Sequence, residues 1–293
     1  EFKVIEYKNV ILLFILQHNF DQNLGTFAKN ITDWILEIKN FDGKRSARFG
    51  FEIGLGQGSE QYITNEYHTQ IDAALNQLEY NELSFLKDEN WVSQLGESKE
   101  NFFFSASFQA FSKSFFDYLD MFSVYLRHKM IHHATYCLRK YGTLDVSKIK
   151  DYTSDENPFT NIYIVAEVIN KIIKGWRRFN SEKAHIIIDR LKNSYELNYF
   201  REKYAGFYTV ATHRAEKERC KSIYDKLKNH YQSTERSFTI DENYNEIIAF
   251  DKVEYQTNDF SEGKFESFDI ENCVQKADYH IYYDDELSDF SIY

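Results

Sequence analysis

The densest chemistry in the chain is the run Leu126-Arg127-His128-Lys129-Met130-Ile131-His132-His133. It gathers three of the nine histidines within six residues, beside two cations. Imidazole titrates near neutrality and can take or give a proton. A guanidinium presents a planar fork of donors that fits phosphate oxygens. This combination suits phosphoester chemistry without a metal, because cations can neutralise the charge that develops on phosphorus oxygens. The structural alternative is a polar helix face bordering the core, with His128 and His132 stacked one turn apart.

A second basic run is Arg177-Arg178-Phe179-Asn180-Ser181-Glu182-Lys183-Ala184-His185, preceded by Lys174. The spacing predicts a helix-to-helix junction here, and a helix N-terminus attracts anions. Lys174, Arg177, Arg178 and His185 are therefore candidates for contacting nucleic acid; the alternative is a capped helix end with a solvated basic turn. A third run, Phe200-Arg201-Glu202-Lys203-Tyr204-Ala205-Gly206-Phe207, carries Phe207 where a histidine would be needed.

Other chemistries have weaker support. His128 and His132 have i,i+4 spacing, but no Glu lies between them as a metalloprotease helix would require. Glu182-x-x-His185 is half of a di-iron motif without its other half. The chain is read as using no metal and no cofactor. Cys137, Cys220 and Cys273 are far apart with no CxxC pair, which points to a reducing, cytoplasmic setting. Gly50, Gly54, Gly56 and Gly58 match neither phosphate-loop pattern. Phe102–Phe104 and Tyr282–Tyr283 could stack on bases, although an aromatic core explains such clusters more often.

The elements that must position these residues are mostly helical. Residues 26–40 place Phe27, Ile31, Trp34, Ile35 and Ile38 on one side of a helix. Residues 48–58 alternate and predict a strand or hairpin edge; 65–80 and 84–95 predict helices. A long pattern over 101–141 carries Phe108, Phe111, Phe115, Leu119, Phe122 and Leu126 at spacings of three or four, and Gly142 follows as a C′ residue. Asn157-Pro158 predicts a helix start, running to Lys174 and stopping at Gly175. Ser181 would cap a helix to about Tyr204, and a Lys/Arg-rich helix would span about 207–231. After residue 235 the texture becomes strand-like, in EIIAFDKVEYQ, KFESFDIE and YHIYYDD. Val10–Leu16 is too short to span a membrane. The fold expected is mainly α: a helical body over residues 1–235, and an acidic C-terminal segment, 236–293, of partly β character packed on it.

Arg127 followed by a polar residue, with His132 or His133 five or six positions on, resembles the Arg-x4–6-His motif of HEPN-type ribonucleases. The resemblance covers about residues 65–142. His128 fills the polar second position that the family gives to Asn, Asp or His. Arg178 to His185 fits the longer version, though its Asn180 comes one place too late. The resemblance implies a helical bundle that homodimerises, with Arg and His from two protomers forming a metal-independent site. Arg127 would then hold the scissile phosphate, and His132, or secondarily His128 and His133, would assist attack of the RNA 2′-hydroxyl. It further implies a toxin or phage-defence effector with an antitoxin or regulatory partner. Residues five apart on a continuous helix stand about 140° apart, so pairing needs a helix break or a second protomer. The runner-up reading is a non-catalytic helical interaction protein or nucleic-acid-binding adaptor; a third is a helical metalloprotein.

The net charge of −11 by itself argues against an RNA partner, but it is unevenly placed. Residues 236–293 carry 15 acidic and 4 basic side chains and hold the entire excess. Residues 171–232 carry 15 Lys/Arg against 7 Asp/Glu. A basic surface that guides RNA, masked by an acidic segment, is one reading. Two solvated surfaces of opposite sign facing each other is the other.

Overall fold

The computed structural model describes residues 2–45, 68–78, 80–88, 90–95, 97, 101–122, 124–145, 161–180, 185–232, 240–255, 268–283 and 291–292. The strand expected at 48–58, the Asn157-Pro158 helix start and the Ser181 cap lie outside these residues.

The chain opens with strand β1 (Phe2–Glu6), which runs directly into helix α1 (Tyr7–Asn19). Val10 to Leu16 are apolar on every side of α1, and all seven are buried. A helix apolar all round has no face to give to water, so it becomes the centre of the fold. Helices α2 (Leu24–Arg45), α3 (Ala106–Phe122), α4 (Val124–Tyr141) and α5 (Ile164–Phe179) build the rest of the bundle. α2, α4 and α5 each pack against α1, and α3 packs along α4.

The aromatic stripe expected over 101–141 faces the core from α3, where Phe108, Phe111, Phe115 and Leu119 are buried. Each such side chain contributes roughly 1.5–3 kcal/mol. The pattern divides into two helices, α3 and α4, that pack on each other. α4 ends as expected at Gly142, whose φ of +69° is the left-handed turn that glycine adopts without strain.

Several boundaries differ from the sequence reading. α5 runs through a buried Gly175 and ends at Phe179. Residues His185–Asp189 form strand β2 rather than part of a helix, because Ile186, Ile187 and Ile188 are β-branched. β2 pairs in parallel with β1, Phe2 opposite His185 and Glu6 opposite Asp189. Helix α6 (Ser194–Lys203) follows, capped by the Asn193 side chain, which accepts from the Tyr195 and Glu196 backbone N–H groups. The Lys/Arg-rich segment divides into strand β3 (Val210–Arg214) and helix α7 (Glu216–Gln232).

The C-terminal segment is more helical than its texture suggests. EIIAFDKVEY belongs to helix α8 (Ile240–Tyr255), followed by the short helix α9 (Ile270–Gln275). Strands β4 (Tyr279–Tyr283) and β5 (Ser291–Ile292) supply the β character. β4 pairs in parallel with β3 and antiparallel with β5. α8 lies against α7 and α4, and α9 against α6, so the acidic segment packs on the helical body. The fold is mainly α. Among the described residues no helix is long and apolar enough to cross a membrane.

Candidate functional site

α4 carries the histidine run and offers its residues to different neighbours. Arg127 turns toward α3, with Nε 2.8 Å from Asp120 Oδ1. His132 turns toward α8, with Nδ1 3.4 Å from Glu254 Oε1. His133 points elsewhere again, its Nε2 3.4 Å from the buried Cys137 Sγ one turn on. Arg127 and His132 are thus held by different helices, α3 and α8.

What gathers around the motif instead comes from the C-terminal half. Glu254 is 3% exposed and also takes an ion pair from the Lys192 ammonium. Burial alone would raise the Glu254 carboxyl, but the His132 hydrogen bond and Lys192 more than offset it and hold it at about 2. Phe268 packs its ring against His132, with centroids 4.9 Å apart at 71°. The Lys192 ammonium and the Arg139 guanidinium each lie 5.0 Å from the same ring centroid, a cation–π arrangement suited to a desolvated site.

His128, one turn before His132, is kept neutral. Its covering by protein depresses its basicity most, and Arg127, Lys192 and Arg190 add to the effect, bringing it down to about 3. Three cations from two parts of the chain thus act on one imidazole. Lys192 and Arg190 arrive from the turn after β2, where Arg190 adopts a left-handed φ of +70°, a conformation costing roughly 1–2 kcal/mol outside glycine.

Beneath this cluster lies a buried polar knot. Arg139 Nη2 donates to the Tyr7 hydroxyl at 2.8 Å and pairs with Glu196 Oε1 at 3.0 Å, and the Tyr7 hydroxyl donates to Glu196 at 2.9 Å. The knot joins α1, α4 and α6. Asp269 is fully buried beside it and accepts from the Ser194 backbone N–H and hydroxyl at 2.7 and 2.6 Å. Burial pushes the Cys273 thiol up, and Asp269 adds to it, which disfavours its thiolate.

The second candidate run is dispersed. Lys174, Arg177 and Arg178 are exposed near the C-terminal end of α5, Arg178 lying against the Phe179 ring. His185 opens β2, its ring 5.3 Å from that of Phe2. His185 belongs to a strand rather than to the helix expected through it, and the Ser181 start of that helix lies outside the described residues. In the third run, Arg201 ties α6 to the C-terminal segment through Asp278, at 2.9 Å, and the Lys276 carbonyl. α8 faces the basic α7 through an Arg219–Asp251 pair.

A cleft of about 340 Å³ opens at the other end of α4, lined by Phe14, His18, Trp91, Leu138 and Glu167 among others; none of the motif residues lines it. Among the described residues no three His, Cys, Asp or Glu side chains converge as a metal-holding group.

Sequence reasoning missed Glu254, Phe268, Arg190 and Lys192 as neighbours of the motif. Arg190 and Lys192 had a signal in the basic charge of residues 171–232. Glu254 and Phe268 had none, since each sits in an acidic, aromatic tract with no spacing that relates it to α4. No family model matches the chain, and comparison with curated proteins and with solved structures gives no match either.

Proposed function

We propose that the chain is a metal-independent endoribonuclease of HEPN type. The observation that carries this reading is the grouping of His132, Glu254, Lys192 and the Phe268 ring, one turn from the neutral His128. Cations around imidazoles are what cleavage through the 2′-hydroxyl requires. His132 takes the 2′-hydroxyl proton while the 2′-oxygen attacks phosphorus. The P–O5′ bond breaks, a proton passes to the departing 5′-oxygen, and a 2′,3′-cyclic phosphate is left. Glu254 orients His132 and supports its charge when it is protonated, and Lys192 and Arg190 offset the charge on the phosphorane oxygens. Arg127, turned to the opposite side of α4, serves the site of a second protomer in a homodimer, the composite arrangement that the motif's resemblance implies. Lys174, Arg177, Arg178 and His185 contribute a basic surface toward RNA. A cytoplasmic toxin or phage-defence effector, restrained by an antitoxin or regulatory partner, is the setting this reading implies.

The test is chemical. An RNA oligonucleotide and its 2′-deoxy counterpart are incubated with the protein in EDTA. The reading requires cleavage of the RNA alone, with cyclic-phosphate ends; cleavage of both, or of neither, contradicts it.

A second reading has its own support. The His132 side chain is 11% exposed and Arg127 is paired with Asp120, which suits a non-catalytic interaction or nucleic-acid-binding adaptor. That protein would bind RNA and leave it intact.

A further inference from the structure

Far from α4 along the chain, β3 and β4 bring two other histidines together. β3 and β4 are parallel, with Ala211 opposite His280 and His213 opposite Tyr282. Alternate residues of a strand share a face, so His213, His280 and Tyr282 stand on one side of this sheet as diagonal and direct neighbours. His213 Nε2 lies 2.8 Å from His280 Nδ1. The His213 ring also stacks on Tyr282, with centroids 4.6 Å apart and planes 14° from parallel.

Two imidazole nitrogens at this distance share one proton. Each nitrogen otherwise offers a lone pair in the ring plane, the donor that borderline divalent metals prefer. Stacking on Tyr282 limits how the His213 ring can turn, which lowers the entropy lost on ligation. Both histidines are half-buried, so one side of the pair stays open to water.

We propose that His213 and His280 form an open, two-imidazole surface site for a borderline divalent transition-metal ion such as zinc or nickel. The ring that donates the shared proton takes it back, through water, on its own other nitrogen, so both rings stay neutral, and the ion accepts one lone pair from each of the two facing nitrogens; no electron is transferred. Two metal–nitrogen bonds of about 2.0–2.1 Å at a tetrahedral angle separate the nitrogens by roughly 3.4 Å, so a small rotation of the rings suffices. Among the described residues no third His, Cys, Asp or Glu joins them, and water completes the coordination.

Nickel and zinc chlorides are the probes, titrated calorimetrically into the full chain at neutral pH. The wild type binds one ion at this site, and His213→Ala or His280→Ala weakens that binding at least tenfold. His133→Ala, beside Cys137 on α4, leaves it unchanged. A copper(II) electron-paramagnetic-resonance spectrum of the wild type, which needs no variant to fold, shows two equatorial nitrogen ligands. Absence of wild-type binding, undiminished binding by a folded His213→Ala/His280→Ala double variant, loss of binding in His133→Ala, or a copper spectrum without nitrogen ligation overturns the proposal.

Discussion

His132 and Glu254 lie 122 residues apart in the chain and meet with Nδ1 3.4 Å from Oε1. The contact couples the motif helix α4 to the acidic C-terminal segment. It also gives the imidazole a carboxylate partner at Nδ1, which orients the ring. Lys192, paired with the same carboxylate, brings a cation to the same place.

The first prediction concerns this trio. Glu254→Gln keeps the shape but removes the carboxylate charge beside His132. RNA cleavage falls about 10–100-fold in kcat with KM little changed, because the base loses the partner that orients it. Lys192→Ala also lowers the rate. An unchanged kcat in a folded Glu254→Gln would show that the contact is structural only.

The dimer prediction follows from the opposite orientations of Arg127 and His132. Arg127→Ala and His132→Ala are each inactive as homodimers. Mixed and allowed to exchange subunits, they recover activity, because one of the two composite sites in each heterodimer is intact. No recovery, with exchange demonstrated by labelled chains, places Arg127 in the site of its own chain.

Acid stability provides a prediction independent of activity. Glu254 sits at about 2 in the folded chain, below the ordinary carboxylate value. Its stabilisation is complete above about pH 4.5 and is lost as pH falls toward 2, a change on the order of 3 kcal/mol. His128 is depressed to about 3, so the unfolded chain binds its proton first. Stability therefore begins to fall below about pH 6.5 and continues to fall toward pH 3. Denaturant titrations from pH 7 to 3 show a shallower decline in His128→Gln, over the whole range from about pH 6.5 to 3, and in Glu254→Gln, only below about pH 4.5. Parallel curves for all three proteins would contradict these assignments.

The buried Arg139–Glu196 pair predicts a non-additive pattern. Arg139→Met leaves the Glu196 carboxylate uncompensated in the core and costs about 3–5 kcal/mol. Adding Glu196→Leu restores much of that loss, since an apolar pair of similar volume needs no desolvation. Urea denaturation of the four proteins in the cycle measures it; equal, additive losses would mean that packing rather than charge dominates.

The parts of the fold legible in the sequence are those where apolar spacing alone decides. Phe27, Ile31, Trp34 and Ile35 on α2, and Phe108, Phe111, Phe115 and Leu119 on α3, are buried as their periodicity dictates. Gly142 turns the chain as expected. The errors fall where another signal competes. Ile186–Ile188 form a strand whose paired residues on β1 lie 183 positions earlier in the chain, so no local rule identifies it. Along α8 the inward positions include Ile247, Asp251 and Glu254, a helical spacing of mixed polarity that an apolar pattern does not register. The site was legible to the same extent. The histidine run is a local feature, but the carboxylate, the cations and the ring that surround it come from α8, the turn after β2 and the residue before Asp269. Only the tertiary fold brings them to α4.

The central claim is that His132 moves a proton during RNA cleavage. Cleavage of a mixed RNA pool in EDTA is compared between the wild type and a folded His132→Ala variant. The account predicts wild-type cleavage, and a loss of about 10²–10⁴-fold in the variant. No cleavage by the wild type, or equal cleavage by both, contradicts it.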